Sequence, residues 1–218
     1  MRFVLEVIAC TVADAVEAEA GGADRLEIVR DLGVGGLTPP CSLVREILRA
    51  VAIPGRVMLR ENDGFSVGNK DALIEAAREF AGMGVDGVVL GFLEAGRLDL
   101  RSMSDVLAAT GGLKATLHHA FDAITKPLEV IPVIKRELPQ VDRILTRSGG
   151  AYMECAAPEI TILAGGGLDA VVIRELRATT AVPEFHVGRA ARDPDGTVTA
   201  DRVRALAGVV HAHASKDI

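Results

Sequence analysis

The sequence predicts a single (β/α)8 barrel, the TIM-barrel fold, that spans residues 1–218. Eight short runs rich in Val, Ile and Leu recur along the chain, and each except the sixth is followed by a helical pattern. Such alternation predicts a parallel sheet covered by helices, with strands that start roughly every 20–30 residues. No shift in composition marks a domain boundary, so the eight units favour one closed barrel. An open doubly wound sheet is the alternative, but it needs a topological switch point and usually has fewer strands.

The boundaries of the elements follow from the hydrophobic runs and from helix start and stop signals. The predicted strands cover residues 3–9, 25–29, 56–60, 85–92, 113–119, 141–146, 159–166 and 183–188. Helices are predicted at residues 11–22, 38–51, 69–84, 102–112, 126–138, 168–180 and 199–214. Thr11, with Asp14 three residues later, begins the first helix, and the Gly21-Gly22 pair ends it. Thr38 as N-cap, with Pro39 at the first helical position, begins the second helix.

Two features depart from this regular pattern. Pro127 suits the first turn of the fifth helix, whereas Pro132 lies inside that helix and is expected to strain or kink it. Residues 147–158, RSGGAYMECAAP, separate the sixth and seventh strands and are too few for a crossover helix. We therefore expect the helix after the sixth strand to be shortened or missing.

The composition narrows the class of protein. Of the 218 residues, 49% are apolar and 25% are charged, which is enough for a well-buried core. The net charge of −6 argues against a nucleic acid or an anionic membrane as partner. The chain has no run of 18 apolar residues, and its start, MRFVLEVIAC, is typical of a first strand rather than of a signal peptide. Three cysteines at wide spacings do not make a disulfide framework, so the cytoplasm is the expected compartment.

Ionisable residues stand in or just after the predicted strands. They are Glu6, Arg25, Glu27, Arg60, His118, Asp122 and His186. Arg25 and Glu27 are two positions apart on one strand and share a face, so we expect them to form an ion pair. The carboxyl ends of barrel strands meet at one mouth, where active sites lie, and buried charges there must be paired or ligand-bound. The cluster predicts a general acid/base site, and the alternative is a structural ion-pair network that plugs the barrel.

Glycine-rich turns follow the last three predicted strands. Turns that expose backbone N–H groups bind anions, and barrels often bind phosphate at the loops after the seventh and eighth strands. The sequence therefore predicts an anion site formed by Ser148, Gly149, Gly150, Gly165, Gly166, Gly167 and Arg189. The alternative is that these glycines only permit tight turns between strands and helices.

The thiols are candidate metal ligands. They are Cys10, Cys41 and Cys155, and all fall in connections that the fold would place on one rim. Cys41 lies near a helix N-terminus, where its pKa should be lowered, and Met153 adds a soft ligand of the kind that Cu(I) prefers. The spacings fit no zinc motif, so incidental small apolar residues are the alternative. His211 and His213 are either a chelating pair or part of a solvated helix end.

Four stretches of the sequence resemble the CutC family of copper-homeostasis proteins. They are GADRLEI…GGLTP, TLHHAFD, ILTRSGG and AGGGL, and the match runs in order from the first strand to the eighth. The resemblance implies a cytoplasmic (β/α)8 barrel that is commonly a homo-oligomer, such as a dimer or tetramer. It also implies a link to copper tolerance and, in some members, copper binding. The polar residues that the family shares fall on the seven ionisable positions named above.

The chain departs from the family pattern at two places. Relatives often carry cysteine at the end of the first strand and just after the "LE" of the second, where this chain has Ile8 or Ala9, and Val29. Copper ligation by that cysteine pair is therefore not carried over. The linker after the sixth strand is shorter than in relatives, and Arg147 is inserted before the SGG.

Two functions from different classes follow. The first is a cytoplasmic copper-homeostasis protein that binds Cu(I) through its cysteines. The second is a barrel enzyme that performs acid/base chemistry on a small anionic or phosphorylated metabolite. In the enzyme hypothesis His118 and Glu27 transfer protons and Asp122 positions His118. Arg25 and Arg60 would stabilise negative charge on the substrate.

Overall fold

The eight predicted strands close into a barrel in the computed structural model, which describes residues 2–212. The strands are β1 (Val4–Ala9), β2 (Arg25–Ile28), β3 (Gly55–Met58), β4 (Gly87–Leu90), β5 (Leu93–Glu94), β6 (Arg97–Leu98), β7 (Lys114–Leu117), β8 (Val141–Thr146), β9 (Thr161–Ala164) and β10 (Glu184–Val187). The short strands β5 and β6 form an antiparallel hairpin after β4 that the sequence pattern did not predict. The other eight pair in parallel, and pairing of β1 with β10 closes the ring. The fold is therefore a TIM barrel, and the open-sheet alternative is excluded.

Helices cover the outside of the ring. They are α1 (Val12–Gly21), α2 (Cys41–Ala50), α3 (Lys70–Ala81), α4 (Leu100–Ala108), α5 (Pro127–Glu137), α6 (Met153–Ala156), α7 (Ala170–Thr179) and α8 (Ala200–His211). The signals predicted for α1 are confirmed, because the Thr11 hydroxyl accepts the N–H of Asp14 and Gly22 ends the helix at φ 93°. Within residues 2–212, no helix has the length and apolar character needed to cross a membrane.

The predicted start of α2 is wrong. The helix begins at Cys41, and Pro40 precedes it in an extended conformation with φ −66° and ψ 145°. Thr38 does not cap α2, because its hydroxyl donates to the carbonyl of Arg60 at 2.9 Å and accepts the Arg60 N–H at 2.8 Å. A residue before proline also avoids the helical region, so Pro40 keeps Pro39 out of the helix.

The structure shows how the two segments that depart from the regular pattern fold, the proline-containing helix and residues 147–158. Helix α5 begins at Pro127 as predicted and contains Pro132 without ending there. After β8 the chain forms a 3-10 helix at Gly149–Tyr152 and then only the four residues of α6. The predicted shortening of the sixth crossover therefore agrees with the structure.

The barrel has an apolar shell, and its interior combines ionisable side chains with a small apolar cluster of Ile8, Val29, Met58 and Val89. Side chains such as Leu5, Leu26 and Val57 point outward from the strands and pack with the apolar faces of the helices. Because side chains alternate along a strand, Glu6 and Arg25 point the other way, into the barrel. The interior therefore holds the ionisable residues.

Candidate active site

Ion pairs fill the floor of the barrel. The Arg25 Nε lies 2.5 Å from Glu6 Oε2, and its Nη2 lies 2.6 Å from Glu184 Oε2. The expected Arg25–Glu27 pair is wrong, because the strand register sets Glu6 beside Arg25 and leaves Glu27 further along the barrel axis. Arg25 is thus held in the floor by two carboxylates, with 4% of its surface exposed.

The floor network continues around the ring through residues that the sequence analysis did not single out. Arg143 donates to both carboxylate oxygens of Glu184, at 2.8 and 3.0 Å. Arg56 donates to both oxygens of Asp142, at 2.7 and 2.9 Å, and to Asp86 at 3.0 Å. The floor of the barrel is therefore the structural ion-pair network that was the alternative to an acid/base site. The candidate active site lies at the mouth.

A cavity of about 1460 Å³ opens at the carboxyl ends of the strands. Among its lining residues, Cys10 follows β1, His118 follows β7 and Gly188 follows β10. Of the seven predicted acid/base residues, Glu27, Arg60, His118 and His186 line the cavity. The other three do not, because Glu6 and Arg25 belong to the floor and Asp122 belongs to the turn after β7.

Glu27 is buried at the bottom of the cavity with an unused oxygen. Its Oε1 has no hydrogen-bond partner among residues 2–212, and its Oε2 lies 3.8 Å from His186 Nε2. Burial raises the pKa of Glu27 to about 7, and the negative charge of Glu6 adds to the shift although His186 opposes it. Glu27 therefore changes protonation near neutral pH.

Glu6 holds His186 in place beside Glu27. The His186 Nδ1 lies 2.8 Å from Glu6 Oε1. Burial opposes the ionised form of Glu6, but Arg25 and His186 together keep its pKa well below the usual range. Burial also opposes a charged His186, but the carboxylates of Glu27 and Glu6 raise its pKa. A hydrogen bond to an ionised Glu6 fixes the ring and turns Nε2 toward Glu27.

His118 is a neutral hydrogen-bond donor. Its Nδ1 accepts the N–H of Ala120 at 3.1 Å, so the ring proton is on Nε2, which has no partner in the described part of the chain. Burial lowers its pKa to about 3, and the nearby charges of Arg60 and His119 add to this. The Phe65 ring lies 5.4 Å from the imidazole. The His118 Nε2–H can therefore donate to an acceptor that residues 2–212 do not supply.

Asp122 does not position His118, so that expected role is wrong. Its carboxylate contacts His119 Nδ1 at 2.8 Å and accepts from the Thr146 hydroxyl at 2.5 Å. These contacts tie the turn after β7 to the end of β8. The error arose because two histidines are adjacent and only His119 faces Asp122.

Arg60 also has a different role from the expected one. Its side-chain nitrogens donate to five backbone carbonyls, those of Val34, Gly35, Gly36, Asp63 and Gly64. Arg60 therefore joins the loops after β2 and β3, and its donors are not free to bind substrate. Its charge still acts on Glu27 and His118 through space.

The predicted anion site is split. Gly166, Gly167 and Arg189 line the cavity, whereas Ser148, Gly149, Gly150 and Gly165 do not. The Ser148 N–H donates to the Thr146 hydroxyl and the Gly165 N–H to the Thr146 carbonyl, so internal bonds occupy both groups. Arg147, which the sequence analysis noted only as an insertion, lines the cavity as well.

The three thiols do not share one rim. Cys10 lines the cavity, but Cys41 and Cys155 are partly buried and pack against the core behind the helices. The pKa of Cys41 is raised to about 11, by burial and then by Glu79, which is opposite to the expected direction. His211 Nε2 lies 2.7 Å from Asp24 Oδ2, and His213 lies outside the described residues.

The donor groups that do converge carry no sulfur. Within residues 2–212, the one set of three or more His, Cys, Asp or Glu side chains whose donor atoms lie within 4.8 Å of one another is Glu6, Glu27 and His186. Glu6 already accepts from Arg25 and contacts His186. The contacts of Glu6 with Arg25 and His186 therefore explain why these three side chains lie close together, without a metal ion.

Comparisons with known proteins identify the family. The CutC family model matches residues 3–191. A CutC family protein from Xylella fastidiosa (strain 9a5c) is 34% identical over 200 residues, which cover 84% of this chain and 73% of the relative. One from Caulobacter vibrioides (strain NA1000 / CB15N) is also 34% identical over 200 residues, with 85% and 80% covered.

Solved structures agree on the fold. A crystal structure of CutC from Streptococcus agalactiae superposes with a TM-score of 0.78 at 24% identity, covering 85% of this chain and 98% of that one. N-(5'-phosphoribosyl)anthranilate isomerase from Pyrococcus furiosus gives 0.64 at 15% identity, with 96% and 98% covered. These likenesses show the barrel, and the family rests on the matches in sequence. The chain belongs to the CutC family.

Proposed function

We propose that the chain is a barrel enzyme that transfers a proton on a small anionic metabolite. Glu27 is the acid/base group, and His118 donates a hydrogen bond to the substrate oxygen on which negative charge develops. One observation carries the proposal. Glu27 Oε1 and His118 Nε2 are both buried, both lack a partner within residues 2–212, and belong to side chains that line the same cavity.

Unpartnered buried polar atoms indicate a ligand. Each costs roughly 1–3 kcal/mol in a folded protein unless water or a ligand supplies the missing bond. The two atoms are complementary in chemistry, because a carboxyl oxygen accepts or releases a proton while the imidazole N–H only donates. A substrate with a carbonyl or hydroxyl beside an acidic C–H would satisfy both.

The protonation states also suit this reaction class. General acid/base catalysis is most efficient when the pKa of the group lies near the working pH, and burial raises the pKa of Glu27 to about 7. A neutral imidazole stabilises a developing oxyanion by hydrogen bonding, and the lowered pKa of His118 keeps it neutral. His186, oriented by Glu6, is the positioning residue beside Glu27.

Copper is the alternative that the family resemblance implies, and the Streptococcus agalactiae relative is named as a copper homeostasis protein. The residues present do not fit Cu(I), which prefers thiolate and thioether ligands. The converging set is two carboxylates and an imidazole, and the sulfur-bearing side chains that line the cavity are Cys10 and Met58. Anaerobic Cu(I) titration should therefore give weak binding that Cys10→Ser, Cys41→Ser and Cys155→Ser leave unchanged. A tight site lost in Cys10→Ser would favour copper handling instead.

The proposed chemistry is tested by hydrogen exchange. The protein is incubated in D2O with sets of small carbonyl and phosphorylated metabolites, and NMR follows deuterium incorporation at carbon. We expect one class of metabolite to exchange, with the rate lowered by about 10²–10⁴-fold in Glu27→Gln, as for loss of a general acid/base.

Glu75→Gln on the exposed face of α3 is the matched control, since it makes the same chemical change away from the cavity. It should exchange at the parent rate. Equal exchange by Glu27→Gln and the parent would contradict the proposal.

We also propose that the protein is cytoplasmic and forms a homo-oligomer, a dimer or tetramer. Support for the compartment comes from the three free cysteines, and support for the assembly comes from the family resemblance. Light scattering after size-exclusion chromatography measures the assembly directly, and a monomer mass would contradict it. We expect no nucleic-acid or membrane partner, as the net charge of −6 indicates.

A further inference from the structure

We propose that the cavity holds a separate subsite for a phosphate monoester group of the substrate, formed by the Gly166–Gly167 turn, Arg147 and Arg189. The inference rests on the proposed function, because it names the class of metabolite on which Glu27 would act. It adds a binding site that the acid/base residues do not themselves provide.

The turn after β9 presents free backbone donors. Gly166 and Gly167 have φ of 90° and 91°, a conformation that residues with side chains rarely adopt. In the described part of the chain, the N–H groups of Gly166, Gly167 and Leu168 donate to no protein acceptor. The turn leads into the ten-residue helix α7, whose Val171 and Val172 N–H groups are capped by Asp169, so the free donors belong to the turn itself. Consecutive free N–H groups at such a turn bind oxyanions.

Arg147 lies across this turn. A Cβ built on Gly166 would stand 2.4 Å from Arg147 Cγ and 2.9 Å from its Nε, so only glycine leaves room for the arginine. The Arg147 side chain is 65% exposed, and its nearest carboxylate, that of Asp122, is 4.0 Å away. Its guanidinium therefore keeps most of its hydrogen-bonding capacity.

Arg189 provides the second cation, on a one-turn 3-10 helix after β10. It is exposed, and it forms no ion pair with residues 2–212. This distinguishes it from the neighbouring Arg192, which is held by Asp14 and by the carbonyl of Ile8. Arg147 and Arg189 are thus the arginines of the mouth that remain available.

Within residues 2–212, the acidic side chain that comes within 4.0 Å of either guanidinium is that of Asp122, at 4.0 Å from Arg147. Asp14 is paired with Arg192 at 3.0 Å, Asp169 accepts two N–H groups at the start of α7, and Asp195 accepts the N–H of Thr197. Two guanidinium groups and several N–H donors match a group with three terminal oxygens and up to two negative charges. A carboxylate would use fewer of these donors.

The subsite is placed to serve the acid/base residues. Gly165, which precedes the turn, packs on His186, since a Cβ there would lie 3.4 Å from His186 Cδ2. The turn therefore begins beside His186, whose Nε2 lies 3.8 Å from Glu27 Oε2. The cavity of about 1460 Å³ has room for the rest of a phosphorylated metabolite.

The test is titration of the full chain with inorganic phosphate, followed by calorimetry, with acetate as the carboxylate probe. We expect phosphate to bind more tightly than acetate. Arg147→Gln and Arg189→Gln should each weaken phosphate binding about tenfold or more, as for loss of a charge-assisted hydrogen bond. Arg174→Gln, an exposed arginine of α7 that does not line the cavity, is the matched control and should bind as the parent does.

The possible outcomes separate the inference from the proposed function. Phosphate binding that is absent, that both variants leave unchanged, or that acetate equals would overturn the subsite, without touching the deuterium-exchange result for Glu27→Gln. Phosphate binding that depends on Arg147 and Arg189 supports the subsite even if Glu27→Gln exchanges deuterium like the parent, which would remove only the acid/base proposal.

Discussion

Glu27 combines a cost to stability with a chemical use. The residue is 3% exposed, and its pKa of about 7 compares with an ordinary value of 4.5. A folded pKa above the unfolded one means that the group stabilises the fold below pH 4.5. This contribution is lost as pH rises through about 7. Ionised Glu27 therefore destabilises the barrel at neutral and higher pH, as is common for active-site groups.

The first prediction concerns Glu27→Gln. The variant removes a buried ionisation, so at pH 8 we expect it to be more stable than the parent by roughly 1–3 kcal/mol. At pH 4 the difference should vanish, because Glu27 is then protonated in both the folded and unfolded states. Urea denaturation at the two pH values measures it, and a variant that is less stable at pH 8 would contradict the account.

The sequence predicted four of the residues that line the mouth, but it placed Glu6 and Arg25 there as well, and it did not predict the hydrogen-bond partners. Glu27 and His118 could be found because period-two alternation and strand ends place them inside a barrel. The partner of Asp122 could not be predicted, because His118 and His119 are adjacent in sequence. The backbone conformation of the turn after β7 decides which of the two faces Asp122. Glu184 was missed, although it stands two positions before His186 and shows the same alternation.

At the scale of elements, one arginine organises the mouth. Arg60 lies just beyond β3, and its five donated hydrogen bonds join the loop at residues 31–36 to the loop at residues 61–64. The Thr38 hydroxyl adds two hydrogen bonds to the Arg60 backbone, and the Thr38 N–H adds a third. The helix start predicted at Thr38 was wrong because the Thr38 hydroxyl, which could otherwise cap α2, forms a tertiary contact with Arg60.

The second prediction is that Arg60→Lys loosens both loops. A lysine keeps the charge but has three donors on one atom, so it cannot span carbonyls from two loops. Amide hydrogen exchange in residues 31–37 and 61–66 should speed up by about tenfold or more, the effect of losing roughly 1.4 kcal/mol of local stability. Arg45→Lys, an exposed residue of α2, should leave these rates unchanged, and equal rates in Arg60→Lys would refute the joining role.

For the molecule as a whole, the floor of the barrel is held by charges instead of apolar side chains. Arg25, Arg56 and Arg143 link four carboxylates, those of Glu6, Asp86, Asp142 and Glu184, into one network. The closed fold was predictable because eight regular units leave few alternatives. The ion-pair network was not predictable from the sequence, since it depends on which residues the strand register of the barrel brings side by side.

The third prediction is that Arg25→Ala costs roughly 3–5 kcal/mol of unfolding free energy, because it leaves Glu6 and Glu184 buried with one cation fewer. Arg45→Ala removes an exposed arginine with a 3.9 Å contact and should cost less than about 0.5 kcal/mol. Thermal or urea unfolding compares the two. An Arg25→Ala protein as stable as the parent would mean that solvent reaches the floor.

The fourth prediction is acid sensitivity. Burial opposes ionisation of Glu6 and Asp142, yet their hydrogen bonds and ion pairs with arginines lower both pKa values. A lowered folded pKa gives stability that is present above the unfolded value of about 4 and is lost as pH falls below it. The midpoint of urea unfolding should therefore fall steeply below pH 4, and a flat profile there would argue against ionised floor carboxylates.

The proposed chemistry requires a carboxyl group at the mouth of the barrel that exchanges a proton at neutral pH. Carbon-13 NMR titration of the Glu27 side-chain carboxyl in the full chain, assigned by comparison with Glu27→Gln, tests this most directly. The structure predicts a titration midpoint near 7. A midpoint at or below the ordinary 4.5 would contradict it.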